Sequence, residues 1–129
     1  MWQNRNNAFK TYASLRIYGR ELVPEIVTKS LGIQPTKVSV GREQTVWLFS
    51  TEDQVDNLER LEAHLMYIAA RLLARKRQLR ALQRRFTTDV SCYFASQSDT
   101  GAFQLSRDTI ATLGDLRLGF YLDGYFTCK

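Results

Sequence analysis

Tyr12-Ala13-Ser14-Leu15-Arg16-Ile17-Tyr18 alternates strictly, with Ala13, Leu15 and Ile17 on one side and Tyr12, Ser14, Arg16 and Tyr18 on the other. Successive side chains of a strand point to opposite faces, so a period of two predicts a strand with one buried face and one polar, aromatic face. The pattern returns at 88–96, where Val90, Cys92 and Phe94 alternate with Asp89, Ser91 and Tyr93. It returns again at 116–123, where Leu116, Leu118, Phe120 and Leu122 point in and Arg117, Gly119, Tyr121 and Asp123 point out, the strand reaching toward Tyr125. Strands of this kind build a sheet covered on one side only.

The segments between them supply the cover. Gly19 ends the first strand, and Pro24 with Glu25 suits the first turn of a short helix carrying Ile26 and Leu31 inward. Gly32 then Ile33 fits a left-handed cap. A short strand at 37–41 and a second at Val46-Trp47-Leu48-Phe49 follow. Thr51 with Gln54 matches a capping box, and Glu52, Asp53, Asp56 and Glu59 crowd the first turns of a long helix. Its stripe is Leu58, Leu61, Leu65, Ile68 and Leu72, in phase with Leu79 and Leu82. Arg75 falls on that stripe, so the helix either runs to about residue 85 or breaks near 75–77 and restarts. Between the second and third alternating segments lie a turn at 98–101, a short strand at 102–105, and a helix opened by Ser106 and closed by Gly114. The expectation is an α+β domain over 1–129 with a polar arm at 1–10. Its core is ferredoxin-like: a mainly antiparallel sheet with a long helix and two short helices on one face.

Charge is concentrated. Seven cations and no acid occupy 71–85, namely Arg71, Arg75, Lys76, Arg77, Arg80, Arg84 and Arg85, while the net charge is +5, so the remainder sums to −2. Such a segment faces solvent or an anionic partner: an acidic patch on a protein, or nucleic acid. No apolar run is long enough to span a bilayer, and the polar start has no apolar core of a signal peptide, so a cytoplasmic protein with no membrane partner is expected. Cys92 reads as a buried small hydrophobe and Cys128 as a free thiol.

Catalytic and cofactor chemistry is thinly represented, and neither an enzyme nor a cofactor is expected. His64 is the one histidine and has no sequence partner for nucleophilic catalysis; no His/Cys cluster has metal-ligand spacing. The pairs Glu59 with Glu62 and Asp53 with Asp56 are three apart, which suits acid–base work but also a helix start. Gly41-Arg42-Glu43 lacks the glycines of a phosphate loop and reads as a turn, or as one wall of a small pocket. The outward strand residues Tyr12, Arg16, Tyr18, Tyr93, Arg117, Tyr121 and Tyr125 are of the types that carry interface energy.

Tyr12-x-x-Leu15-x-Ile17-x-Gly19, Leu31-Gly32-Ile33-x-Pro35-Thr36, Gly41-Arg42-Glu43 before Val46-Trp47, Ser91-Cys92-Tyr93-Phe94 and Phe103-x-Leu105-Ser106 occur in this order. Together they resemble a small bacterial family catalogued as domain of unknown function four-two-seven-nine, over about residues 12 to 125. The resemblance implies a fold and no catalytic residues; the Arg-rich 71–85 segment departs from it. Its members are similar in size and setting to bacterial immunity proteins. The expected function is thus a non-enzymatic bacterial protein that recognises another protein, in its immunity version a toxin domain. The alternative is a nucleic-acid-binding module using 71–85.

Overall fold

A computed structural model describes residues 10–127. The arm expected at 1–10, apart from Lys10, and Cys128 lie outside the described residues. Nine elements follow in order: β1 (Lys10–Gly19), α1 (Pro24–Leu31), β2 (Lys37–Val40), β3 (Thr45–Ser50), α2 (Leu61–Leu73), α3 (Lys76–Gln83), β4 (Thr87–Ser96), α4 (Arg107–Asp115) and β5 (Gly119–Phe126). The architecture is α+β: one five-stranded mixed sheet of order β2-β3-β1-β4-β5, with four helices. The first three pairings are antiparallel and β5 joins β4 in parallel, α4 lying on the connection between them.

The alternation reports the buried face faithfully. Ala13, Leu15 and Ile17 of β1, Trp47 and Phe49 of β3, and Val90 and Cys92 of β4 join Leu61, Leu65, Ile68, Leu72, Leu79 and Leu82 of the helices in one apolar core. Cys92 is fully buried, and burial pushes its thiol up to about 12. The α1 expectations hold in detail: Pro24 opens the helix and Gly32 closes it at φ 68, its N–H donating to the Thr28 carbonyl. Ile26, however, is exposed, and Val27 takes the inner position with Leu31.

Four local expectations are corrected or, at 75–77, decided between the two paths left open. The helix begins at Leu61, not near Thr51, because the Thr51 hydroxyl is taken by the sheet and by His64, so it is not available to cap a helix. Residues 51–60 form successive turns, in one of which the Asn57 carbonyl accepts from the β1 amide of Thr11 at 2.9 Å, and Leu58 is left 52% exposed. Of the two paths through 75–77, the chain takes the break. Arg75, at φ −129 and ψ 36, leaves the stripe and donates through Nη1 to the Ser30 carbonyl at 3.0 Å, at the end of α1. Its guanidinium rests on Gly32, where a Cβ would stand 2.9 Å from Nη2, so a side chain there would push the guanidinium aside as well as strain the left-handed backbone.

The third correction concerns 102–105, which forms no strand; Phe103 instead packs its ring against Phe94. The fourth concerns the end of α4. Ser106 is the N-cap, its hydroxyl accepting from the Thr109 amide, but Gly114 lies inside the helix. The closing left-handed residue is Arg117 at φ 57, whose N–H donates to the Gly114 carbonyl while that of Leu118 reaches Leu113. This bonding is the six-to-one and five-to-two arrangement of a Schellman cap, a position that favours glycine. The strand therefore starts at Gly119, later than expected, and Leu116 is buried as the cap residue of α4.

Candidate functional site

The open face of the sheet is built by strand register. Tyr12 of β1 stands opposite Tyr93 of β4, and Arg16 opposite Asp89. Ser91 stands opposite Tyr121 and Ala95 opposite Tyr125 across the β4–β5 pair. Three tyrosines consequently run across three strands: Tyr12 stacks on Tyr93 with centroids 4.8 Å apart, and Tyr93 meets Tyr125 at 5.1 Å. Aromatic pairs at this spacing add attraction beyond their buried area. Burial, then the charge of Glu52, raises the Tyr12 phenol above its ordinary value. The Tyr125 hydroxyl donates to Asp123 at 2.9 Å.

A second cluster adjoins the ladder. Arg16 grips Asp89 with two bonds, Nε to Oδ1 at 2.7 Å and Nη2 to Oδ2 at 2.8 Å, and Tyr18 donates its hydroxyl to the same carboxylate at 3.2 Å. The hydrogen bond to Asp89 is the main reason the Arg16 guanidinium lies above its ordinary pKa. The same guanidinium sits 5.6 Å from the Tyr18 ring centroid and 5.4 Å from that of Tyr121. A bidentate pair in a partly buried place fixes geometry as well as adding attraction. Asp89 is the organising residue of this face, and nothing in the sequence distinguished it before the β1–β4 register was known.

The face ends at an edge. β5 hydrogen-bonds to β4, and no described strand pairs with its other side. Its apolar side chains were expected to be inside, yet Phe120 is 45% and Leu122 42% exposed. Tyr121, Tyr125 and Phe126 are exposed as well. The alternation placed Phe120 and Leu122 on the helix-covered face correctly, but the core cluster stops short of them.

Of the expected partner-binding residues, Tyr12, Arg16, Tyr18, Tyr93, Tyr121 and Tyr125 come together on this face. Arg117 does not; it lies in the turn before β5. The basic segment divides in two. Arg75 caps α1, Lys76 pairs with Asp115 at 2.6 Å, and Arg80 donates to the Asp115 carbonyl at 2.9 Å, so these three serve the fold. Lys76 also holds the Asp115 carboxyl below its ordinary value. Arg71 lies over the Tyr67 ring and Arg85 over Phe86, while Arg77 and Arg84 are exposed; none of these four has an acidic partner among the described residues.

Of the residues weighed for catalysis, His64, Glu62 and Asp56 have structural occupations. His64 is fully buried, with Nδ1 2.6 Å from the Thr51 hydroxyl and Nε2 3.0 Å from the Asp56 carbonyl. The carbonyl can only accept, so Nε2 carries the proton and Thr51 donates to Nδ1, while Thr51 accepts from the Ala13 amide at 3.0 Å. Glu62 accepts from the Ser106 amide at 2.6 Å and from the Thr109 hydroxyl, and these bonds hold its carboxyl below the ordinary range. A general acid needs the opposite shift. Asp56 caps the amide of Leu58, and Arg42 and Glu43 sit exposed at the β2–β3 turn. Among the described residues, no group of three or more His, Cys, Asp or Glu could hold a metal ion, and no helix is long and apolar enough to cross a membrane.

The model of a family described as "Domain of unknown function (DUF4279)" matches residues 9–127. No curated protein and no solved structure matches the chain.

Proposed function

The chain belongs to the DUF4279 family, and from that premise we propose that it is a non-enzymatic protein that recognises another protein through the open sheet face and the β5 edge. The observation that carries this reading is β5 itself. An eight-residue edge strand shows five large side chains to solvent, carries a single charge, Asp123, and is continuous with a tyrosine ladder. Edge strands of this length and character pair with other chains unless they are guarded. Tyrosine and arginine supply contact area with a polar handle, which suits the rim and centre of such an interface.

Added strand pairing along β5 would supply main-chain hydrogen bonds, with Tyr121 and Tyr125 giving specificity on one face and Phe120 and Leu122 on the other. The ferredoxin-like reading of the core belongs to this proposal and is supported by the order β2-β3-β1-β4 with its three antiparallel pairings. The immunity version, a bacterial cytoplasmic protein that covers a toxin domain, needs a stable small scaffold and no catalytic group. An acidic partner patch is favoured by Arg71, Arg77, Arg84 and Arg85, which would speed encounter. The nucleic-acid alternative loses force because Arg75, Lys76 and Arg80 are engaged within the fold.

A photo-reactive residue in place of Tyr121, compared with one in place of Val40 on the opposite edge, tests the reading in cells. A single protein crosslinked from position 121 and not from 40, whose purified form binds the chain, is the expected result. Crosslinks from 40 alone, or to nucleic acid from 121, would refute it.

A further inference from the structure

Arg80, Gln83, Arg84, Phe86, Thr88 and Arg117 line a cleft of about 420 Å3 beside the C-terminal ends of α3 and α4. This size is within the range of small-molecule sites. Three of its six lining residues are arginines and none is an acid. Asp115, whose carboxylate also feels Arg80 and Arg117, is paired with Lys76. The guanidinium groups of Arg84 and Arg117 make no hydrogen bond or ion pair among the described residues.

Gln83 spends its amide nitrogen on the Thr88 hydroxyl and on the Leu116 and Arg117 carbonyls, which ties the wall of the cleft to the end of α4. Arg117 also occupies the left-handed cap position, at φ 57, where a glycine would be relaxed.

We propose that this cleft binds the phosphate group of a small phosphorylated molecule. Arg80, Arg84 and Arg117 neutralise the oxygens, and the organic part lies along Phe86. Planar guanidinium forks match phosphate geometry.

Calorimetric titration of the full chain with inorganic phosphate, phenyl phosphate and sulfate tests this. Saturable one-to-one binding is expected, with phenyl phosphate tighter than inorganic phosphate or sulfate. Arg117→Gly should weaken phenyl phosphate at least tenfold while raising Tm, since it relieves the left-handed residue. Arg84→Gln should weaken it less, and Arg42→Gln, on the distant β2–β3 turn, should leave it unchanged. No saturable binding, phenyl phosphate no tighter than sulfate, or full binding by Arg117→Gly would overturn the site. An oligonucleotide that binds far more tightly than phenyl phosphate, with a steep salt slope, would overturn it in favour of nucleic acid. Because the β5 edge is not involved, Tyr121→Ala should bind phenyl phosphate normally, which separates failure of this site from failure of the partner surface.

Discussion

The two edges of the sheet are treated differently by the sequence. β2 is four residues long, begins with Lys37, and ends in a turn carrying Arg42 and Glu43. Short length and charge are the usual ways of making an edge unattractive to other strands. β5 is eight residues long, with Phe120, Tyr121, Leu122, Tyr125 and Phe126 exposed on both of its faces. Val40 on β2 is more exposed than any of these, at 79%, yet it stands in a strand too short to template pairing. Exposure of one apolar side chain is therefore uninformative; a long unguarded row of them implies an occupant.

The largest expected effect separates β5 from the sheet centre. Leu15→Ala in β1 removes a fully buried side chain and should destabilise by roughly 2–5 kcal/mol in a denaturant melt. Leu122→Ala, on the same face but at the edge, should cost about 1 kcal/mol or less. Equal losses would mean that β5 is as well packed as β1, and the contrast would dissolve. Next in size is binding. Tyr121→Ala should weaken the partner roughly tenfold or more with little change in Tm, while Val38→Ala and Val40→Ser should leave affinity unaltered. Loss of affinity from the β2 variants would move the interface to the other edge.

A smaller effect belongs to the organising carboxylate. Asp89→Asn leaves Arg16 and Tyr18 without their shared acceptor charge and should cost about 1–2 kcal/mol, given the partly buried setting. Partner affinity should fall with it if Arg16 and Tyr121 are held in place by that pair. A melt unchanged by this substitution would show that the face needs no internal organiser.

The smallest effect is a pH slope. Burial holds His64 below its ordinary pKa of 6.5, against the opposing Asp56 carbonyl and the charges of Glu59 and Asp56. The unfolded chain takes up the proton near that ordinary value, whereas the folded chain resists. Stability is thus full above about pH 6.5 and declines as pH falls toward and through the folded pKa. Glu62, held below its ordinary 4.5, loses its contribution only in stronger acid. Melts between about pH 8 and pH 5 should show the decline, and His64→Asn should flatten it. A flat wild-type profile would contradict the buried neutral imidazole.

Much of this fold was legible because strands write their faces into the sequence with a period of two. Leu15, Ile17, Val90 and Cys92 are buried where the alternation placed them. Alternation reports which face a side chain takes, not whether anything covers it, and so Phe120 and Leu122 were expected inside. Thr51 was misread for a related reason. Its spacing to Gln54 is a local signal, but its hydroxyl is claimed by Ala13 and His64, contacts that exist only once the sheet and α2 are assembled. Arg75 was legible as a conflict: a cation on an apolar stripe forces a break, though only the position of Ser30 shows where the charge goes. The tyrosine face was readable residue by residue, while Asp89 needed the register. Arg117 was read as a strand residue because a left-handed arginine leaves no sequence signal, whereas Gly114 gave a misleading one.

Amide hydrogen exchange of the chain, alone and with the protein captured from position 121, tests the central claim most directly. Alone, β5 amides should exchange far faster than those of β1 and β4, which are hydrogen-bonded on both sides. In the complex, β5 should become strongly protected while β2 is unchanged. Protection confined to β2 or to α3, with β5 exchanging as freely as before, would contradict the assignment of the β5 edge and tyrosine face as the recognition surface.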